Sequence, residues 1–319
     1  MRKPRVSVIT ALRDKGPYIE QTIASVAKQN VTDWEMIVVE NGSVDDGPSR
    51  VAVMAAADDR IKLFKTIATG PGGARNFGID HASGRWILFL DADDLLEPNY
   101  LQERLSAAGE SGNVQVVAGP WSEFVASEDE DRIIKTPAGF RGDRQLLDTA
   151  AFAFAPWVLH AALVRRKHLV GARRWKGELD NHPAEDAAFW FPVIYQSEVV
   201  WANGAGALYR KHTQDCRSSS RSGRVSFEGC RGTLRCNTKF LSSLREMPSS
   251  KQAATVVRML RRLLSQIDKG DRALVADLQG ELTFWLRQTS FLDMKMLFWR
   301  LYWGSFRGNP ELSKQLSTW

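Results

Sequence analysis

Short apolar runs alternate with amphipathic segments through the first hundred residues of the chain. Four of these runs are rich in β-branched or aromatic residues and are predicted to be strands: 6–12, 35–39, 61–65 and 86–90. Between the first two, apolar residues recur at helical spacing at Ile19, Ile23 and Val26. Strands that alternate with helices predict an α/β fold built on a parallel sheet.

Polar clusters follow three of the predicted strands and begin at Arg13, Glu40 and Asp91. Open parallel sheets bind ligands beyond the carboxyl ends of their strands. We therefore expect the three clusters to meet in space and to form a binding site. A glycine-rich segment at 70–73 is predicted to form a loop that frees backbone near this site or makes a turn.

The chain beyond residue 100 has weaker patterning. Residues 114–118 are predicted to form a further strand, whereas the apolar stretch 150–170 shows no clear period. Residues 206–265 contain 13 Lys or Arg against 3 Asp or Glu, so this region is strongly basic. Helical patterns dominate towards the C-terminus, where 284–306 is dense in aromatic residues.

Composition limits the class of protein. The chain has 319 residues, of which 44% are hydrophobic and 25% charged, as is typical of a soluble protein with a large core. The net charge of +6 favours an anionic partner. Three cysteines do not suggest a disulfide framework, and no apolar run suits a signal peptide or a membrane span. These features predict a cytoplasmic location, with a peripheral position at the inner face of the membrane as the alternative.

Three aspartates, Asp91, Asp93 and Asp94, come directly after the apolar run WILFL. So much negative charge at the end of a buried strand is unfavourable unless something offsets it. A hard divalent cation such as Mn²⁺ or Mg²⁺ does so, because it prefers carboxylate oxygens and keeps phosphate as a further ligand. The alternative is a solvated turn in which Asp93 or Asp94 caps a helix that starts near Leu95.

The ordered motifs of residues 6–100 resemble family 2 glycosyltransferases, which use nucleoside-diphosphate sugars. The segments are VSVITALRD, SVAKQNVTDWEMIVVENGSVDDG and GPGGARNFGIDHASGRWILFLDADDLLEP. The resemblance implies an α/β GT-A fold with a mainly parallel central sheet and a helical C-terminal extension. It implies a catalytic domain over 1–215, with nucleotide-sugar binding in 1–100 and the acceptor side in 101–215. Residues 216–319 would form a basic and then aromatic-rich helical region.

The resemblance implies donor-binding roles for four residues at the strand ends. Ala11 and Arg13 would flank the base of the donor, and Glu40 and Asn41 would contact it. The family usually has Asp-Asp-Gly-Ser at this second turn, where this chain has ENGS. Asn41 carries both donors and acceptors and can bond a pyrimidine edge. A UDP-sugar is therefore the favoured donor.

The resemblance also implies phosphate and metal contacts. Arg75 would face the nucleotide, where a guanidinium suits phosphate, and its alternative is a surface position on a helix. Asp91 would hold the ribose or the metal, and Asp93 would hold the Mn²⁺ or Mg²⁺ ion that bridges the two phosphates. In the segment YRKH, His212 would complete the metal site, and Arg210 or its lysine neighbour would meet phosphate.

An inverting transfer needs a general base for the acceptor hydroxyl. An acid pair opens a predicted helix in HPAEDAAFWFPV, and by resemblance Asp186 is the catalytic base. The FWFPV run would give it a partly apolar pocket. The alternative is an acid that only complements the helix dipole. The implied activity is metal-dependent transfer of a hexosyl or N-acetylhexosaminyl group to a hydroxyl of a glycan or lipid-linked acceptor.

Two other functions stay open on the sequence alone: a non-catalytic relative that binds sugar nucleotides or glycans, and a sugar nucleotidyltransferase. The second class usually has a glycine-rich loop with a basic residue near the first strand, which this chain lacks. The set of His212, Cys216, Cys230 and Cys236 lacks the short paired spacing of a zinc site.

Partners are predicted from the C-terminal half. The basic region 206–265 contains few aromatic residues and no recognised nucleic-acid module, so we expect no nucleic-acid partner. The aromatic segment 284–306 is expected to pack on the core, to join a second copy in a homo-oligomer, or to touch a membrane surface.

Overall fold

A computed structural model describes residues 3–67, 70–109, 112–125, 136–138, 144–180, 182, 185–211, 223–268, 270–290 and 292–293. The strands are β1 (Val6–Leu12), β2 (Trp34–Glu40), β3 (Ile61–Lys65), β4 (Trp86–Phe89), β5 (Leu95–Leu96), β6 (Val114–Ala118), β7 (Trp121–Phe124), β8 (Thr136–Ala138), β9 (Ala162–Arg165), β10 (Glu198–Trp201) and β11 (Ala207–Arg210). The helices are α1 (Gly16–Ala27), α2 (Gly47–Ala57), α3 (Pro71–His81), α4 (Tyr100–Ala108), α5 (Arg144–Ala151), α6 (Glu185–Ile194), α7 (Gly223–Ser243), α8 (Ser250–Gln266) and α9 (Arg272–Arg287).

The central sheet has the order β10-β6-β9-β4-β1-β2-β3. Its strands run parallel except β9, which is antiparallel to both of its neighbours, β4 and β6. This arrangement confirms the predicted α/β fold with a mainly parallel sheet. Strand β9 lies in the apolar stretch 150–170, which showed no clear period because all four residues of the strand are buried.

A second, smaller sheet has the order β5-β11-β7-β8 and was not predicted. Its strands have two to four residues and come from distant parts of the chain. Strand β11 pairs antiparallel with β5 and parallel with β7. It thereby brings Arg210 next to the segment that follows β4.

The carboxyl ends of β1, β2 and β4 lie side by side, as the sequence predicted. Leu12 is paired with Glu40 in the parallel register of β1 and β2, and Ile9 is paired with Phe89 of β4. Side chains tie the first two loops together, since Asp14 Oδ1 accepts a hydrogen bond from the backbone N–H of Val44 at 2.7 Å.

Helix α3 begins at Pro71, so the prediction that 70–73 forms only a loop or turn is wrong. Proline suits the first turn of a helix, where its missing N–H is not needed. The carboxylate of Asp180 then accepts hydrogen bonds from the N–H groups of Gly72 at 2.9 Å and Gly73 at 3.1 Å. A distant acid therefore caps this helix, which local sequence reasoning could not foresee.

The C-terminal helices α7, α8 and α9 share an apolar core with the central sheet. This cluster includes Phe89 from the sheet, Phe240 from α7, Val256 from α8 and Trp285 from α9. The predicted helical C-terminal region is confirmed for its described part, whereas most of 284–306 lies outside the described residues. Within the described ranges, no helix is both long and apolar enough to span a bilayer.

Glu35 is a buried carboxylate that joins β2 to its surroundings. Its oxygens accept hydrogen bonds from Ser7 Oγ, from the N–H and Oγ of Ser83, and from Lys62 Nζ, each at 2.7 Å. Burial alone would raise the pKa of Glu35, but the hydrogen bonds from Lys62, Ser7 and Ser83 outweigh it and lower this pKa to about 2.

We expect Glu35→Gln to lower the free energy of unfolding at pH 7 by about 2–3 kcal/mol, because the pKa of Glu35 lies below its unfolded value. This stabilisation is full above about pH 4.5 and is lost as the pH falls towards 2. Urea unfolding between pH 7 and pH 2.5 should therefore show the two proteins converging in acid. The exposed Glu20→Gln serves as the control and should follow the parent chain, and a constant gap across the pH range would contradict the assignment.

Candidate active site

We name Asp91–Asp94, which follow β4 after Leu90, the acid loop. Asp91 Oδ1 lies 2.9 Å from Arg75 Nη2 on α3. Asp93 Oδ2 lies 2.9 Å from Nζ of Lys15, the residue that precedes α1. Cations of the chain itself therefore offset part of the negative charge from which a metal ion was predicted. Lys15 was missed by the sequence analysis, because nothing in its neighbourhood marks it as a partner of Asp93.

Asp94 is the buried member of the acid loop and faces the protein interior. Its Oδ1 accepts a hydrogen bond from the backbone N–H of Arg210 at 2.7 Å, and its Oδ2 lies 3.3 Å from Nδ1 of the fully buried His160. Burial, together with the charges of Asp93 and Asp91, raises the pKa of Asp94 well above its usual range. Burial lowers the pKa of His160 to about 4. Asp94 and His160 thus support the acid loop from the protein interior. Asp94 is not part of a solvated turn, which was the alternative prediction for this residue.

Arg210 holds the acid loop from β11. Its Nε donates to the carbonyl oxygen of Asp93 at 2.7 Å, and its Nη2 donates to Gln21 Oε1 at 2.8 Å. Its guanidinium also lies over the rings of Tyr18 and Phe124. The arginine of the YRKH segment is thus engaged with protein atoms and fixes the loop's backbone. His212, the predicted third metal ligand, lies outside the described residues.

Arg75 connects the acid loop with the predicted catalytic helix. Its Nη1 lies 3.2 Å from Glu185 Oε1 at the start of α6, and its guanidinium lies 4.3 Å from the centre of the Trp175 ring. The side chain is only 4% exposed, which rules out a surface position. Burial alone would lower the pKa of Arg75, but the charges of Asp91, Glu185 and Asp186 raise it above its usual value.

Asp186, the predicted base, is the second residue of α6 and follows Glu185 directly. Arg75 therefore links Asp91 of the acid loop to the first turn of α6, where Asp186 lies. In the FWFPV run, Phe189, Trp190 and Phe191 are fully buried and pack in the core. The effect of this run on the carboxyl group of Asp186 stays a prediction.

The residues predicted to contact the donor base lie at the ends of β1 and β2. Glu40 is buried, and its Oε1 accepts hydrogen bonds from the N–H groups of Gly42 at 2.6 Å and Ser43 at 2.5 Å. This oxygen therefore shapes the turn that carries Asn41. Asn41 is itself buried, and its backbone N–H donates to the carbonyl oxygen of Leu12 at 2.9 Å.

Ala11 and Arg13 lie on either side of the last residue of β1. Ala11 belongs to the strand and packs partly against the core. The Arg13 side chain is 61% exposed and lies 3.7 Å from Asp14 Oδ2. The structure thus gathers the predicted donor residues along one edge of the sheet, and their contacts with a nucleotide stay predictions.

The donor set of the acid loop fits a hard divalent cation. Asp91 and Asp93 present carboxylate oxygens at alternate positions of one short loop, and both side chains are partly exposed. Among the described residues, no three His, Cys, Asp or Glu side chains converge in an arrangement that could hold a metal. Asp91 and Asp93 are therefore the side chains of the acid loop that could hold such an ion.

A family model described as Glycosyl transferase family 2 matches residues 7–169, which is just over half of the 319 residues. The chain belongs to glycosyl transferase family 2. The match includes the acid loop, Arg75 and the turns after β1 and β2. It confirms the family predicted from the sequence motifs, and with it the predicted enzyme class.

Two bacterial glucosyltransferases are similar to this chain over part of their length. The GalNAc(5)-diNAcBac-PP-undecaprenol beta-1,3-glucosyltransferase of Campylobacter jejuni is 38% identical over 216 residues, which are 66% of each chain. The UDP-Glc:alpha-D-GlcNAc-diphosphoundecaprenol beta-1,3-glucosyltransferase WfgD of Escherichia coli is 39% identical over 102 residues, 32% of this chain and 40% of that protein. The chain thus spans about two fifths to two thirds of these relatives.

Solved structures of low sequence identity share the GT-A fold with this family 2 member. TarS of S. aureus matches with a TM-score of 0.65 at 17% identity, over 87% of this chain and 80% of that chain. Its complex with UDP-GlcNAc matches with a TM-score of 0.64. The mannosyltransferase PcManGT of Pyrobaculum calidifontis, solved with GDP-Man and Mn²⁺, matches with a TM-score of 0.50 at 16% identity.

We expect Arg75→Met to lower the free energy of unfolding by about 3–5 kcal/mol, because it leaves the carboxylates of Asp91 and Glu185 without their buried counter-charge. Chemical denaturation at low and high salt measures this loss. Arg50 offers a matched control, since it also contacts two carboxylates, those of Glu20 and Asp46, but at the surface. Arg50→Met should leave the unfolding midpoint nearly unchanged, and equal effects of the two variants would show that Arg75 is not a buried bridge.

Proposed function

We propose that this chain is an inverting, metal-dependent glycosyltransferase that moves a sugar from a nucleoside-diphosphate donor to an acceptor hydroxyl. The acceptor oxygen forms a bond to the anomeric carbon while the bond from that carbon to the diphosphate oxygen breaks. Asp186 takes the proton of the hydroxyl, and the nucleoside diphosphate leaves with its electron pair. Attack from the face opposite the diphosphate inverts the anomeric configuration.

One observation carries this proposal: Arg75 contacts both Asp91 of the acid loop and Glu185, the neighbour of Asp186. Donor binding and proton removal must occur within a few ångströms of each other. One buried guanidinium contacts both Asp91 and Glu185, which supports the proposal that the acid loop and the predicted base act in a single site. Arg75 acts as a positioning residue that fixes the separation of the two groups.

The residues of the acid loop have distinct parts in the proposal. Asp91 and Asp93 would hold a divalent cation, Mn²⁺ or Mg²⁺, together with the donor diphosphate. A bound cation would stabilise the charge that develops on the departing diphosphate. Asp94, supported by His160 and Arg210, keeps the loop in place. The complex of PcManGT with Mn²⁺ supports a metal, although that protein is similar only in fold.

A UDP-sugar is the favoured donor, and a lipid-linked sugar is a favoured acceptor class. The name of WfgD includes UDP-Glc as donor, and TarS has been solved with UDP-GlcNAc. The names of the C. jejuni and E. coli relatives specify undecaprenol-linked acceptors. An acceptor of this kind would be reached at a membrane surface, which suits the excess of positive charge in region 206–265.

Donor binding is tested by calorimetry with UDP, GDP and TDP, each with and without Mn²⁺. We expect UDP to bind best, and its affinity to fall by about tenfold or more without the metal. Asp93→Asn should abolish this metal dependence, whereas Asp59→Asn, in an exposed turn, should retain it. Tighter binding of GDP than of UDP would show that the donor carries guanine and not uracil. Absence of all nucleotide binding would overturn the proposed donor site.

The base is tested with Asp186→Asn in a transfer assay that uses UDP-sugars and lipid-linked acceptors. We expect kcat to fall by about 10²- to 10⁴-fold, because the acceptor proton loses its base, while donor affinity stays near that of the parent chain. Asp59→Asn is the matched control for loss of one carboxylate. Donor binding without transfer or donor hydrolysis in the parent chain would instead identify a non-catalytic binding relative.

A further inference from the structure

Lys15 pairs with one of the two carboxylates proposed to hold a metal ion. Its Nζ lies 2.9 Å from Asp93 Oδ2, and both side chains are 18% exposed, so this is a half-enclosed ion pair at the carboxylate proposed to hold the cation. Like a metal ion, the ammonium is a compact positive charge. The same carboxylate oxygen cannot contact Nζ closely and also hold a divalent cation without a large repulsion between the two positive charges.

The backbone fixes Lys15 at this position. Its carbonyl oxygen accepts hydrogen bonds from the N–H groups of Tyr18 and Ile19, each at 3.0 Å, as the first turn of α1 begins. The preceding residue, Asp14, has a φ of 51° and is bonded through its side chain to Val44. The attachment point of Lys15 is therefore rigid, whereas its four-carbon side chain can rotate away from Asp93.

The partners of the other two acids, Asp91 and Asp94, cannot move away in the same manner. Arg75, which contacts Asp91, is also held by Glu185 and by the Trp175 ring. Asp94 faces the fully buried His160. Of the charged partners described along the acid loop, Lys15 is the one on a flexible side chain at the rim of the site.

We propose that Lys15 couples metal binding to nucleotide binding. In the protein without ligands it occupies Asp93 and weakens the binding of a divalent cation. A nucleoside diphosphate offers Lys15 new anionic oxygens, so the lysine moves from Asp93 to the diphosphate and releases Asp93 for the cation. Lys15 is a positioning residue in this account, which rests on the proposed function because it assumes a diphosphate donor at the acid loop.

Coupling of this kind is reciprocal, so it can be measured as the effect of UDP on the Mn²⁺ affinity or as the effect of Mn²⁺ on the UDP affinity. We expect Lys15→Met to bind Mn²⁺ about 5- to 100-fold more tightly than the parent chain when nucleotide is absent. UDP should then improve the Mn²⁺ affinity of the variant much less than it improves that of the parent chain. Free Mn²⁺ is measured by electron paramagnetic resonance and confirmed by calorimetry, and neither method requires turnover.

Two further variants separate the role of Lys15 from general loss of charge or fold. Lys15→Arg keeps the cation and should retain weak Mn²⁺ binding without nucleotide. Lys28→Met removes a lysine at the opposite end of α1 and should leave every affinity unchanged. Thermal unfolding establishes that each variant is folded.

An unchanged or weaker Mn²⁺ affinity of Lys15→Met without nucleotide would overturn the inference, as would equal effects of Lys15→Met and Lys28→Met. Failure of UDP and other nucleoside diphosphates to bind the parent chain would reject the proposed function. The proposed coupling to nucleotide would then fail as well. The affinity for Mn²⁺ alone would still show whether Lys15 competes with the cation for Asp93.

Discussion

Three carboxylates within four residues follow a strand whose side chains are buried on both faces, and their mutual repulsion must be offset inside the protein. Positive charges come from three different places, since Arg75 comes from α3, Lys15 from the start of α1 and Arg210 from β11. His160, from the turn before β9, is a neutral neighbour of Asp94, because burial lowers its pKa to about 4. The positions of these elements around β4 are therefore linked to the charge of the acid loop. The same contacts that hold the elements together also stabilise the carboxylates of the site.

The sequence predicted the part of the structure that local patterns determine. Apolar runs identify β1, β2, β3 and β4, since each of them forms a strand of the central sheet. Parallel strands place their carboxyl ends at one edge, so the polar clusters at Arg13, Glu40 and Asp91 could be assigned to one site from their positions along the chain. The ordered motifs added the family and the expected role of Asp186, which position alone could not provide.

The remainder depends on contacts between residues far apart in the sequence. Lys15 precedes a glycine and a proline and looks like an ordinary exposed lysine until α1 places it beside Asp93. His160 has no motif around it, because its partner Asp94 follows another strand. Asp180 caps α3 from a distant turn, and β9 inserts between β4 and β6 against the direction of the other strands. Such pairings are set by tertiary packing. A local period of two or 3.6 residues contains no information on contacts between residues that are far apart in the sequence.

The insertion of β9 has a consequence for how the chain is assembled during synthesis. Strand β4 leaves the ribosome well before β9, its neighbour on one side, and β11 follows later still. Until β9 pairs with it, β4 has an open edge, and an open strand edge is a place for wrong pairing and for chaperone engagement. Pairings that span so much sequence also form slowly. His160 and Arg210 are synthesised well after the acid loop that they contact. A truncated or half-folded chain that lacks them therefore lacks part of the support of this loop.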